Sequence, residues 1–370
     1  MPTVAENDNR MSWIRHIEFV KTKKKKYHSY EEYELACECR ITGGLDYKKG
    51  AIYCSFLTSE KDRDGLYHYS LRIRTAYNDP NDPTPYRDYK SANSKGYYFK
   101  AGIAEELISL FSVFFQCRFY VVATNSYLPN SYRRIRNEKD LIYKPSEPGI
   151  HPTIFSEKSR SFSIGLTEFL DRTISLPVKL HQDFLWASFQ YSQALRQVGI
   201  DTEMVFIKLV SAIEILSTHI DIDPAVDVFN GRKLSEVLDL STLDEGQKEK
   251  VEKIFLVRNS GLRFVSFIEK YCTSFFKGGK SIAEHCKIRR SALVPVLKKI
   301  YSARSEYLHN GESMYLSTPL RMKEARNWDT DPSRGMMIDN RSFSASLKLP
   351  FAHFFESLVR HCLINFLGKN

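Results

Sequence analysis

The chain has no run of about 18 uncharged apolar residues, so no segment is expected to span a membrane. Its first residues, MPTVAENDNR, lack the basic-then-apolar pattern of a secretory leader, which predicts a cytoplasmic protein. No CxxC pair and no paired Cys/His spacing occurs, and P-loop, GxGxxG and HExxH motifs are also missing. The sequence therefore predicts no metal and no cofactor. Internal repeats and low-complexity tracts are absent as well, which argues against solenoids. Cysteine is sparse and odd in number, at seven. Cys37 and Cys39 flank Glu38 and would face one way on a strand, a faint metal-like spacing. The cysteines read together as reduced packing residues of an intracellular protein.

What is present describes a globular chain. Its 370 residues exceed one ordinary domain, and 42% hydrophobic with 26% charged residues supply both a core and a polar surface. A net charge of +10 favours anionic partners, nucleic acid first, because Lys and Arg replace phosphate counterions. The excess is spread along the chain. The one dense run, Lys23 to Lys26, reads as a solvated loop.

The pattern predicts an α+β protein: a β-rich domain over 1–160 followed by an all-α helical bundle over 161–370. Residues 34–41, 51–58 and 66–77 alternate polar with apolar or aromatic side chains, as half-buried strands do. Residues 78–88 contain three prolines and read as a loop. Apolar spacing predicts a helix over 101–115 and a buried strand over 117–124. Residues 125–160 read as a long polar excursion. Helices are then expected over 181–198, 203–220, 231–239 and 245–271, in the stretch that ends at Asn310-Gly311, and over 346–367. The 203–220 helix is apolar on nearly all sides and belongs at the bundle centre. His353 and His361 on the final helix read as packing or surface residues.

One stretch, IYSARSEYLHNGES (300–313), carries a possible acid–base pair. Arg-x4-6-His occurs three times, as Arg10…His16, Arg63…His68 and Arg304…His309, and only the last closes an amphipathic helix. Residues five apart on a helix lie about 140° apart, so Arg304 and His309 do not share a face. His309 aligns with Ser305 four residues earlier. Two readings follow: a catalytic pair facing solvent in a groove, or a cationic last turn that gains from the helix dipole before an Asn-Gly stop. Glu214, on the apolar 203–220 helix, is either a site residue or a buried acid with a basic partner.

LKKIYSARSEYLHNGE (297–312) resembles the signature helix of the HEPN superfamily, in the form found in its ApeA-like branch. FLWASFQYSQALRQVGIDTEMVFIKLVSAIEILS (184–217) is similar to the paired first helices of that branch, Glu214 included. SLKLPFAHFFESLVRHCLINFL (346–367) is similar to its closing helix, so the likeness covers roughly 176–370. ELISLFSVFFQCRFYVV (106–122) looks like part of the β-rich partner domain. In this chain Ser305 follows the arginine, where RNase members often carry Asn, Asp or His.

The resemblance implies a metal-independent endoribonuclease acting at a groove between two copies of the chain. His309 would be the general acid or base and Arg304 the phosphate clamp, with Ser305, Asn310 and Glu214 in support. Attack by the RNA 2′-hydroxyl would leave a 2′,3′-cyclic phosphate and a 5′-hydroxyl. The implied partners are RNA (tRNA, rRNA or mRNA), a second copy, and a phage-derived trigger at the N-terminal domain, in an antiphage, abortive-infection role. The alternative is a non-enzymatic HEPN module for dimerisation and RNA or protein binding.

Overall fold

The computed structural model describes residues 29–56, 60–75, 102–128, 131–136, 164–198, 200–221, 240–276, 290–314 and 352–369, with a few short or single positions besides. These form two compact units: residues 1–149, 153–201 and 366–370, and residues 150–152 and 202–365. The class is α+β.

The first unit is built on a six-stranded antiparallel sheet in the order β3-β4-β5-β1-β6-β7. Its strands are β1 (Ser29–Cys37), β3 (Leu45–Tyr47), β4 (Ile52–Phe56), β5 (Tyr67–Thr75), β6 (Phe119–Leu128) and β7 (Ser131–Arg136). The two-residue β2 (Ile41–Thr42) pairs separately with β8 (Arg160–Ser161). On β5, Leu71 and Ile73 are fully buried, as is Tyr69, while Arg72 and Arg74, which alternate with them, are exposed, as a period of two requires. β1 lies between β5 and β6, with Leu35 opposite Tyr69 on one side and Val121 on the other.

Helix α1 (Gly102–Phe115) carries buried Leu107, Ile108, Leu110 and Phe111, and packs with β6 and with α3 (Val178–Gln197). Helix α2 (Ile164–Ser175) joins them, with Phe169 5.5 Å from Phe114. Between α1 and α3 the Ser112 and Ser192 hydroxyls lie 3.2 Å apart, and Arg196 pairs with Glu105 at 3.0 Å. These contacts move the division between units from the expected residue 160 to 201. Leu185, Phe189, Ser192 and Leu195 are all buried, as their shared helical side predicts.

The second unit contains α4 (Thr202–Ser217), α5 (Glu245–Arg258), α6 (Ser260–Tyr271), α7 (Leu293–Asn310) and most of α8 (Ala352–Lys369). Helix α4 is central: nine of its residues from Val205 to Ser217 are buried, and it packs with both α6 and α7. The single helix expected over 245–271 is interrupted at Asn259, so two helices replace it.

Three expectations change. The excursion over 125–160 includes the second half of β6 and all of β7, which form an edge hairpin. Residues 313–342, a polar connection by their sequence, include a two-residue pairing, β9 (Met337–Ile338) with β10 (Arg341–Ser342). The cysteines are not all free thiols, because Cys39 and Cys117 form a disulfide whose Cα atoms lie 6.3 Å apart. The fold brings together residues 78 positions apart, which spacing alone does not reveal. The loop 78–88, the lysine run 23–26 and the helix 231–239 lie outside the described residues. No described helix is long and apolar enough to cross a membrane.

Candidate functional site

Helix α7 presents Leu293, Leu297 and Ile300 to the core in steps of three and four. The same side continues to Tyr301 and Arg304. Gly311 ends the helix at φ 69°, a left-handed conformation that suits glycine, and its N–H donates to the Tyr307 carbonyl at 3.1 Å. The last turn is thus closed and regular.

Tyr301 and Arg304 both reach Glu214 on α4. The Arg304 guanidinium donates from Nη2 to Glu214 Oε2 at 2.6 Å, and the Tyr301 hydroxyl donates to Oε1 at 3.0 Å. Ser260, first residue of α6, places its hydroxyl 2.5 Å from that of Tyr301. The Arg304 guanidinium also lies 5.9 Å from the Tyr301 ring centre, within cation–π range. Tyr301 packs closely on Gly261: a Cβ there would meet its ring at 3.0 Å and press it aside by a few tenths of an ångström. Burial pushes the Tyr301 phenol above its usual range, with the Glu214 carboxylate adding to the effect, so it stays a neutral donor.

This four-residue network joins α4, α6 and α7. Its ion pair is half-buried, with side-chain exposures of 18% for Arg304 and 20% for Glu214. Arg304 therefore does not stand free in a groove, as a solvent-facing pair would. A guanidinium partly withdrawn from water needs an acceptor, and Glu214 supplies it. Of the two readings of Glu214, the acid with a basic partner is the one observed, and that partner is Arg304.

His309 and Asn310 are exposed in the last turn, and Ser305 is half-buried. Because α7 remains regular to its cap, His309 keeps its 140° offset from Arg304 within one chain. The structure brings Arg304 and Glu214 together; it does not join Ser305, His309 or Asn310 to them. Tyr301 and Ser260 were missed by motif reading, although the i,i+3 spacing of Tyr301 and Arg304 places both on one side.

The competing pattern Arg63…His68 is structural. His68 is held between Glu34 at 3.1 Å and Asp62 at 2.7 Å, while Arg63 is exposed. Arg10…His16 lies outside the described residues. His361 sits between the Ser274 hydroxyl, 3.0 Å away, and the Asn365 side chain, 2.8 Å away, and burial lowers its pKa.

Comparison with protein-family models, curated proteins and solved structures finds no match to this chain.

Proposed function

We propose that the protein is a metal-independent endoribonuclease of the HEPN type, cutting RNA at a groove between two copies of the chain. The observation that carries this reading is the arrangement on α7: an anchored arginine, and five residues later an exposed histidine on a capped helix end. Arg304 spends one nitrogen on Glu214, which orients the fork and leaves Nη1 for a phosphate oxygen. Their 140° separation keeps arginine and histidine apart in one chain. In a groove between two apposed copies of α7, the histidine of one chain works with the arginine of the other.

In this mechanism the substrate's 2′-hydroxyl attacks the adjacent phosphorus. His309 removes its proton or protonates the departing 5′-oxygen, a task suited to imidazole near neutral pH. Arg304 stabilises the charge that accumulates on the phosphorane-like transition state. Ser305, one helical turn before the histidine, and Asn310, next to it, position the imidazole and the phosphate. Substrates are cellular RNAs (tRNA, rRNA or mRNA) in the cytoplasm, and the +10 charge supports their capture. The sheet-bearing unit receives a phage-derived trigger, so that cleavage aborts infection.

A second reading is favoured by the Arg304–Glu214 pair itself: the arginine is a strut between α4 and α7, and the helices form a non-enzymatic module for dimerisation and binding. The two readings separate on incubating purified protein with RNA in EDTA and analysing the ends. Cyclic phosphate and 5′-hydroxyl termini support the nuclease. Cleavage that appears only with Mg²⁺ or Mn²⁺ rejects it.

A further inference from the structure

The sulfurs of Cys37, Cys39 and Cys117 all lie within 4.8 Å of one another, and all three residues are buried. They come from two segments distant in sequence: the end of β1 with the residues just after it, and the link between α1 and β6. Gln116, with a left-handed φ of 55°, turns the chain as α1 ends and is followed directly by Cys117.

The residues beside the cysteines lock these segments together. Glu38 accepts from the Arg118 backbone N–H at 2.8 Å and from its guanidinium at 2.5 Å. Arg118 is itself only 1% exposed and also donates to the Val198 carbonyl at 3.2 Å. The Cys39 backbone N–H donates to the Cys37 sulfur at 3.4 Å, while burial and the neighbouring Glu38 carboxylate hold the Cys37 thiol well above its usual range.

We propose that Cys37, Cys39 and Cys117, in their thiol form, bind one thiophilic d¹⁰ metal ion. Thiolates about 2.3 Å from a common ion stand roughly 4 Å apart, so the Cys39 and Cys117 sulfurs, bonded to each other in this structure, part on reduction to take up that spacing beside Cys37. Three thiolates are a soft donor set, suited to Zn(II) or Cu(I) and unsuited to Mg²⁺ or Ca²⁺. Among the described residues no fourth His, Cys, Asp or Glu joins the group. Cu(I) takes three thiolates as they stand, whereas Zn(II) adds a water as fourth ligand. Binding releases the three thiol protons and tightens as pH rises. The Cys39–Cys117 disulfide is the alternative state of the same sulfurs, and it withdraws two of the three donors.

The test uses the full chain, reduced with a phosphine, which becomes phosphine oxide as it returns the disulfide to two thiols. The reduced protein is titrated under argon with Zn(II) against a chromophoric chelator, with Cu(I) against a Cu(I)-selective one, and with Cd(II) as a spectroscopic probe. One ion per chain with a thiolate-to-Cd(II) charge-transfer band is expected. Cys37→Ser or Cys117→Ser should weaken binding at least about 100-fold, and Cys54→Ser should not. Preference for Zn(II) or Cu(I) identifies which coordination is used. If a serine variant fails to fold, alkylation of the wild type decides: the ion should protect these three thiols and no others. The proposal is overturned if the fully reduced chain binds neither ion, if protection maps to other cysteines, or if the disulfide survives reduction of the native protein.

Discussion

Arg304 Nη2 lies 2.6 Å from Glu214 Oε2, so the arginine of α7 is anchored on α4 while His309, five residues on, stands exposed. Glu214 serves two donors, Arg304 and Tyr301, and its loss strands the arginine and leaves the tyrosine only Ser260. Glu214→Ala should cost about 1–3 kcal/mol, the penalty for leaving half-buried donors unsatisfied. Glu214→Gln keeps an acceptor for Tyr301 and removes the charge that holds Arg304. It should lose less stability than Glu214→Ala, yet still reduce RNA cleavage. Thermal unfolding and a cleavage assay on the same preparations check both.

If each site takes its arginine from one chain and its histidine from the other, two inactive variants should rescue each other. Co-expressed Arg304→Ala and His309→Ala chains form mixed dimers with one intact composite site. Such dimers should recover about half the wild-type rate per dimer, on the expectation that independent sites add. No recovery in isolated mixed dimers would place both residues in one chain's site and reject the shared groove.

His181 gives the first unit a dependence on pH. It is 2% exposed, its Nε2 is buried without a hydrogen-bond partner, and burial depresses its pKa from 6.5 to about 3. The unfolded chain takes up a proton near 6.5, whereas the folded chain resists until near 3. Stability is therefore complete above the unfolded value and lost as pH falls through that window, by on the order of a few kcal/mol. His181→Leu should flatten this acid limb in urea titrations at several pH values.

Helices α2 and α3 belong to the sheet-bearing unit, which alters where the chain can be cut. A fragment starting at residue 161 keeps α3 but loses α1, uncovering the α3 face that packs on it and stranding Arg196 without Glu105. That fragment should aggregate, because an unpartnered apolar helix face is an association surface. A fragment starting at 202 keeps the packing of α4 with α6 and α7 and should be the more soluble. Size-exclusion chromatography of the two decides.

The α+β division and the central place of α4 were legible because hydrophobic periodicity carries them. So was the end of α7, where Asn310-Gly311 stops the 3–4 pattern. Strand β7 was not legible: SYRRIR is charged rather than alternating, as a position at the edge of the sheet permits. The interruption at Asn259 escaped because apolar residues continue on both sides of it. At the site, the motif placed Arg304 and His309 on one helix, but not the arginine's direction. That direction depends on Glu214, 90 positions earlier, and on Tyr301, which looks like one more core aromatic. The cysteine cluster was hidden in the same way, since Cys117 meets Cys37 and Cys39 only through the fold.

The most direct test of the central claim is RNA cleavage in EDTA by His309→Ala and Arg304→Ala proteins beside the wild type, with thermal unfolding of each. Arg63→Ala, which breaks the same Arg-x4-6-His spacing at an exposed position, is the control. His309→Ala should slow cleavage about 10²–10⁴-fold, as loss of an acid–base group does. Being exposed, it should cost no more than about 1 kcal/mol of stability, through the helix dipole. Arg304→Ala should slow cleavage about 10²–10³-fold and also destabilise the protein, because Glu214 loses its partner. Arg63→Ala should change neither. Wild-type cleavage rates in a stably folded His309→Ala protein would contradict the account.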